Sequence, residues 1–523
     1  MMKQQSAWLV VFIASLVATV LGQAPGRVAT EASPRGEPRA AASCDSLASL
    51  KLPHTTITLA RTVEAGASIT DGSAADAAEP SAKAPRPFCR VSATLTPSSD
   101  SDIKMELWLP TANWNQKFQA VGNGAFSGSI AYPALVAALA RGYAAASTDT
   151  GHVGNTASFA LGHPEKLTDF AWRAPHEMAD VSKRIIAAYY QAQARYSYWN
   201  GCSAGGRQAL KAAQRFPADF DGIIAGAPGL DWTGRASQAV RVAKVLEADP
   251  SARLLEADRR RLHEAVVNAC DLLDGVKDGL IGNPERCTFE PAVLQCKGSS
   301  TEGCLSAAQV STARLIYSNG VNTRTGREIA GLRPGSELGW TDLGWTASAR
   351  ATGLDQFRFI VFADPRWTVE RFNFDTDLVR AEEVDANTIN ALDPNVKPFF
   401  DRGGKLIQYH GWSDPQISPS NSTQYYSRVI EAVGGTTAQA SYRLFMAPGM
   451  GHCGGGEGPN TFDMVAALEQ WVEGRQAPDR ILATHAVKGV VDRTRPLCPY
   501  PQIATYVGTG SLDEAASFVC RVP

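Results

Sequence analysis

Gly201-Cys202-Ser203-Ala204-Gly205 fits the pattern G-x-S-x-G, and the chemistry that uses it is acyl transfer by an activated serine. A sharp strand-to-helix turn lifts the serine oxygen clear, and glycine on either side avoids the collisions a side chain would cause there. The helix that follows offers its N-terminus, so the N–H of Ala204 can hold a developing oxyanion. Serine alone is a weak nucleophile. It needs a histidine to take its proton and a carboxylate to orient the imidazole. On a strand-turn-helix scaffold these follow in the order Ser, Asp, His, and only His410, His452 and His485 lie late enough in the chain. His452 sits in a glycine-rich loop, Ala447-Pro-Gly-Met-Gly-His-Cys-Gly, after a β-prone run. Asp414 sits in Tyr409-His-Gly-Trp-Ser-Asp-Pro, also just past a strand. His410 is the rival base, read as lining the pocket or supporting the acid. Asp401 and Asp393 are substitutes for Asp414, but both precede the strand.

Cys202 directly precedes Ser203, and Cys453 directly follows His452. If these two are bonded, their Cα atoms must lie within about 4.4–6.8 Å, which brings nucleophile and base within reach of each other. The other readings are two unrelated structural cysteines, or Cys202 as a thiol nucleophile, although the glycines are centred on Ser203.

The elements that must position these groups alternate. From about 100 to 229 short apolar runs (Lys117-Phe-Gln-Ala-Val, Gly142-Tyr-Ala-Ala-Ala-Ser, Arg195-Tyr-Ser-Tyr-Trp-Asn, Gly222-Ile-Ile-Ala-Gly) are separated by helical spacing over 176–194 and after Ser203. Strands alternating with helices predict a largely parallel sheet. Between about 230 and 395 the alternation breaks, as in an inserted domain. It resumes at Lys405-Leu-Ile-Gln-Tyr-His and Tyr442-Arg-Leu-Phe-Met-Ala, and 461–474 predicts an amphipathic helix.

The chain is 523 residues long, 44% hydrophobic, 20% charged and 8% aromatic, which excludes a mainly disordered, collagenous or coiled-coil protein. Lys+Arg 50 against Asp+Glu 52 leaves a net charge of -2, so no overall field recruits nucleic acid or anionic membrane. Ten cysteines point to an oxidising compartment. Lys3, an apolar run from Ala7 to Leu21 and small residues up to Gly22 read as a signal peptide over 1–22. The run is shorter than the ~20 residues that span a bilayer. Residues 23–43 read as a flexible leader, and the mature protein is expected to be secreted or periplasmic with no membrane segment.

Together, Gly201-Cys-Ser-Ala-Gly-Gly, His410-Gly-Trp-Ser-Asp-Pro and Pro448-Gly-Met-Gly-His-Cys resemble the tannase and feruloyl esterase family of secreted serine esterases, from Cys44 to Cys520. The resemblance implies an α/β-hydrolase catalytic domain (44–229 and 396–523) carrying a lid domain (230–395). It implies Ser203, Asp414 and His452 as the triad, and a disulfide between Cys202 and Cys453. For the oxyanion hole it implies Ala204 with a second donor in Val121-Gly-Asn-Gly-Ala, namely Gly124, with Gly122 the neighbouring alternative. It also implies that Cys44 pairs with Cys89, Cys270 with Cys287, Cys296 with Cys304, and Cys498 with Cys520.

Cys270-Asp-Leu-Leu-Asp-Gly-Val-Lys-Asp-Gly-Leu gathers three carboxylates and two glycines. Its spacing is not that of an EF-hand, and both a calcium loop and a solvated acidic turn fit it. The resemblance implies a structural Ca²⁺ held by Asp271, Asp274 and Asp278 side chains and the carbonyls of Val276 and Leu280. No organic cofactor is expected.

The expected function is hydrolysis of esters of aromatic carboxylic acids, feruloyl, other hydroxycinnamoyl or galloyl, through an acyl-enzyme. The alternative is mono(2-hydroxyethyl) terephthalate hydrolysis, and a different class altogether is a non-catalytic secreted binding protein on the same scaffold. Trp340, Trp345, Phe357 and Arg358, with His410, are the candidate pocket residues; each aromatic suits a protein core equally well. Asn421-Ser-Thr is a glycosylation sequon.

Overall fold

Nine strands build one sheet: β1 (Thr55–Val63), β2 (Phe88–Leu95), β3 (Ile103–Pro110), β4 (Lys117–Val121), β5 (Ala144–Thr148), β6 (Tyr196–Cys202), β7 (Gly222–Gly226), β8 (Lys405–Gly411) and β9 (Tyr442–Ala447). Their spatial order is β1–β2–β3–β5–β4–β6–β7–β8–β9. The computed structural model describes residues 42–69, 82–298, 302–341 and 347–523. The expected signal peptide, nearly all of the leader, and Trp345 lie outside the described residues.

β1, β2, β3 and β5 pair antiparallel in succession, and from β5 across to β9 every pairing is parallel. The antiparallel edge was not expected from the alternation, which begins only near residue 100. β1 alternates half-buried with exposed residues as an edge strand does, whereas β5 and β7 are buried at every position. Successive residues feed opposite faces. Phe118, Ala144, Trp199, Ile223 and Leu406 pack with helices Ala174–Tyr190, Ala204–Arg215 and Ser420–Val433. Ala145, Tyr198, Ile224, Ile407 and Phe445 pack with helices Tyr132–Ala140 and Met464–Gly474. Helices on both faces of a mixed sheet make this an α/β fold.

β7 and β8 are neighbours in register, Gly222 opposite Lys405, although a long segment separates them in the chain. That segment carries two hydrophobic clusters of its own. One joins Leu246, Leu262, Val266, Ile316 and Trp340; the other joins Val240, Phe357, Trp367 and Phe372. All described residues nevertheless fall in a single compact unit.

The ten cysteines form five disulfides. Cys44 bonds to Cys89, which fastens the short helix Cys44–Ser49 to β2. Cys270 bonds to Cys287 and Cys296 to Cys304, both within the inserted segment, so each closes a short loop there. Cys498 bonds to Cys520 near the C-terminus, and Cys202 bonds to Cys453 across the sheet ends.

Candidate active site

β6 ends at Cys202 and helix Ala204–Arg215 begins two residues later, so Ser203 takes the whole turn, at φ 62° and ψ −120°. A non-glycine residue at positive φ is strained, and such strain concentrates at functional turns. The flanking glycines are required by space. A Cβ on Gly201 would stand 2.7 Å from the Gly205 backbone, and one on Gly206 would stand 2.2 Å from the Gly226 carbonyl oxygen. The carbonyl of Ser203 accepts from the N–H of Gly229, and its own N–H donates to Gly226, which fixes the turn against the end of β7.

Asp414 and His452 follow β8 and β9, adjacent parallel strands ending on the same side as β6. His452 Nδ1 lies 2.7 Å from Asp414 Oδ2, and His410 Nε2 lies 3.0 Å from the same oxygen. Asp414 Oδ1 accepts from the N–H of Gln416 and of Ile417. An ionised carboxylate only accepts, so both imidazoles donate to it. His410 therefore carries its proton on Nε2 and accepts at Nδ1 from the Ser422 hydroxyl, 2.7 Å away. His452 carries its proton on Nδ1, leaving Nε2 with a lone pair. Burial of Asp414 works against its charge, but attraction to His452 and hydrogen bonds from both histidines outweigh it and hold the carboxyl well below the ordinary range. The His410 side chain is fully buried and bonded to Asp414, as the second of its two readings expects.

The Cys202–Cys453 disulfide, with Cα atoms 6.0 Å apart, ties the residue before Ser203 to the residue after His452. Gly122 donates its N–H to Asn200 O, so it is already engaged, whereas a Cβ on Gly124 would meet nothing within 4 Å. Asn123 between them is a scaffold that sequence reasoning passed over. Its side chain donates to the carbonyls of Ser129 and Thr148, its carbonyl accepts from Gly205 N, and its N–H donates to Gln208 Oε1. The signal was an asparagine set between two glycines, but its partner Gln208 lies far along the chain.

The other candidates separate. Trp340 is buried, donates to Ser336 Oγ and packs on Tyr317 in the core of the inserted segment. Phe357 is likewise core, stacked on Trp367 and edge to face with Phe372. Arg358 donates from Nε to the Trp367 carbonyl. Phe359, which follows Arg358, is only half-buried and packs on the cluster that contains Ala204, Phe126, Trp232 and Ile360. His485 pairs with Asp492 in the C-terminal hairpin. Asp401 pairs with Lys397 on the surface. Asn421 is buried in a helix, which no glycan could reach.

In the acidic loop, Asp271 accepts from the N–H groups of Asp278 and Gly279, Asp274 from Val276, and Asp278 from Leu280. Asp278 also pairs closely with the Arg495 guanidinium. Among the described residues no group of three or more His, Cys, Asp or Glu is arranged to share a metal ion. Asp274, Val276, Asp278 and Leu280 do line one cavity of about 40 Å³ together with Arg495. Burial first, then repulsion by Asp278 and Asp271, pushes the Asp274 carboxyl up to about 6. Crowded oxygen donors of this kind suit a hard cation.

A serine on a strained strand-to-helix turn, bridged by a disulfide to an Asp–His pair at the ends of neighbouring strands, has the layout of an α/β ester hydrolase. The model of the tannase and feruloyl esterase family matches residues 89–521, and the chain belongs to that family of carboxylic ester hydrolases. It is 38% identical over 541 residues to an uncharacterized esterase of Xanthomonas campestris pv. campestris, covering 92% of this chain and 91% of the relative. It is 34% identical to a probable feruloyl esterase B-1 of Aspergillus oryzae over 83% of this chain and 84% of the relative. The crystal structure of feruloyl esterase B from A. oryzae superimposes with a TM-score of 0.86 at 30% identity, covering 91% of this chain and 99% of that one. Tannin acyl hydrolase from Aspergillus niger shares the fold, with a TM-score of 0.73 at 22% identity over 90% and 92%.

Proposed function

We propose that this chain is an exported serine esterase of α/β-hydrolase type that hydrolyses esters of hydroxycinnamic acids, feruloyl esters foremost, with the segment between β7 and β8 as its lid. The observation that carries the reading is the Asp414–His452 bond tied by Cys202–Cys453 to the strained Ser203 turn. The feruloyl esterase names of its relatives put hydroxycinnamoyl esters ahead of terephthalate monoesters.

In this mechanism Ser203 Oγ attacks the ester carbonyl while His452 Nε2 takes its proton. Asp414 keeps the other imidazole proton in place and stabilises the imidazolium, and His410 with Ser422 keeps Asp414 in place. The N–H groups of Ala204 and Gly124 receive the oxyanion, each worth roughly 3 kcal/mol in the transition state. His452 then returns the proton to the leaving alcohol, and a water molecule activated by the same imidazole releases the acid from Ser203.

The acidic loop plays no part in these steps. A calcium ion held by Asp271, Asp274 and Asp278 with the carbonyls of Val276 and Leu280 would neutralise the crowded carboxylates and brace the inserted segment. The five disulfides and the signal-like N-terminus support export. The test of the activity is a panel of methyl ferulate, methyl p-coumarate, methyl gallate and mono(2-hydroxyethyl) terephthalate ranked by kcat/KM. The methyl hydroxycinnamates are expected first, and a protein inert to all four contradicts the reading.

A further inference from the structure

Two buried hydrogen-bond donors around Trp232 stand unused. Trp232 opens helix Trp232–Ala248, and Thr352 and Gln356 lie one turn apart on the helical segment that packs against it. Trp232 Nε1 donates to Gln356 Oε1 at 3.1 Å, and Arg235 Nη2 donates to Thr352 Oγ1 at 2.7 Å. The Arg235 guanidinium also lies over the Trp232 ring, 5.1 Å from its centre. These contacts leave Arg235 Nε and Gln356 Nε2 without a hydrogen-bond partner among the described residues, although Arg235 is 6% exposed and Gln356 0%. The Gln356 amide cannot be turned round, because the indole N–H facing it needs an acceptor. Buried donors are nearly always satisfied, and exceptions call for an explanation such as a bound group.

The Trp232 side chain that both residues touch belongs to the apolar cluster behind the nucleophile turn. The Trp232 ring meets Phe126 edge to face at 5.1 Å, in the cluster that contains Ala204, the residue after the nucleophile. Gly229, which holds the Ser203 carbonyl, packs against the Trp232 ring. Burial lowers the Arg235 guanidinium to about 10 while the charge of Asp414 acts in the opposite direction, which places Arg235 within electrostatic range of the proposed catalytic acid. The surroundings are aromatic and aliphatic (Phe126, Phe170, Trp232, Ile360 and half-buried Phe359), apart from the buried Arg207 guanidinium, which lies over the Phe170 and Trp232 rings and donates from its Nη atoms to backbone carbonyls.

We propose that Arg235 and Gln356 form a specificity site whose two free N–H donors receive an oxygen substituent on the aromatic ring of the acyl group. An apolar, aromatic-walled surround takes the ring, and the paired donors take a phenolic or methoxyl oxygen, or a ring carboxylate. A ring without oxygen leaves both donors buried and unpaired, and that is how such a site rejects it. The inference rests on the esterase reading above and names the substrate feature that the site selects.

The informative variant is Gln356→Glu, which keeps an acceptor for the Trp232 indole and replaces only the free donor. Its companion is Arg235→Lys, which keeps a charge near Asp414 and removes the Nε donor. The readout is the ratio of kcat/KM for methyl ferulate and methyl p-coumarate to that for methyl cinnamate, with mono(2-hydroxyethyl) terephthalate against ethyl benzoate as the carboxylate arm. The ratio is expected to fall at least tenfold in each variant, and the arm that falls further identifies the preferred oxygen. Ratios within twofold of the parent in both variants overturn the proposal, whether or not turnover itself drops. Should either variant fail to fold, a crystal structure of Ser203→Ala with methyl ferulate decides. Ring oxygens within hydrogen-bond distance of Arg235 Nε and Gln356 Nε2 support the site, and ring oxygens elsewhere overturn it. A parent enzyme inert to every ester refutes the esterase reading, a result distinct from an unchanged ratio.

Discussion

Replacing both Cys202 and Cys453 by alanine removes the covalent link between the proposed nucleophile and base loops without leaving a reactive thiol. The bond closes a loop with a sequence separation of 251 residues, and chain entropy assigns a closure of that length about 5 kcal/mol of stabilisation. Spread over the unfolding entropy of a unit of this size, near 1 kcal/mol/K, this corresponds to a drop in Tm of roughly 5 °C. The catalytic effect is separate. His452 keeps its bond to Asp414, but the loop carrying it is no longer held to the Ser203 turn, and a displacement of ~1 Å between reacting groups costs about 100-fold. The assay is kcat/KM on methyl ferulate at a temperature where circular dichroism shows the variant folded, beside thermal melts of both proteins. A fall in Tm with kcat/KM within threefold of the parent refutes the positional role of the disulfide. An unchanged Tm refutes the entropic one.

Asp414→Asn presents an amide to His452 Nδ1 and favours the tautomer with its proton on Nε2; kcat is expected to fall about 10,000-fold with little change in KM, and a loss under tenfold counts against Asp414 as the orienting acid. His263 bridges Glu337 and Glu457, the latter in the His452 loop; burial opposes its charge, but these two bonds raise it to about 9. A folded-state value above the unfolded ~6.5 gives stability that is full below about pH 6.5 and lost as pH rises through 9. The Tm gap between the parent and His263→Gln should therefore be largest near pH 6 and shrink between about pH 6.5 and 9; a gap constant over that range refutes the bridge. Calcium at a hundred times its Kd should raise Tm by roughly 3 °C over the protein in EGTA, and identical melts with and without the ion return the acidic loop to a plain turn.

Where chemistry imposes a local pattern, it could be read from sequence. The Ser203 turn announces itself because Gly201 and Gly206 admit no side chain against their neighbours. The parallel strands do so because burial on both faces leaves β5 and β7 as runs of small and apolar residues with no charge. Long-range pairings gave no such signal. Nothing in a sequence links Asn123 to Gln208, or Arg235 to Thr352. Cysteine partners are equally silent: Cys89 reads the same whether it meets Cys44 or any other thiol, and only the family resemblance supplied a pairing. Trp340 and Phe357 look like ring clamps in sequence, because an aromatic is written the same way whether it meets a ligand or, as here, other core rings. The antiparallel β1–β3 edge escaped because β1 is half-exposed like many surface segments, and because β2 and β3 bury charged residues, Arg90 and Glu106, that interrupt their apolar runs.

The central claim is that Ser203 is the nucleophile, and covalent capture tests it most directly. The protein is treated with a fluorophosphonate until methyl ferulate hydrolysis stops, and the adduct is located by peptide mass spectrometry. One phosphonyl group per chain on Ser203, and none on Ser203→Ala, is the predicted result. Full inactivation with the label on another residue, or Ser203→Ala turning over at more than about one-hundredth of the parental rate, contradicts the claim.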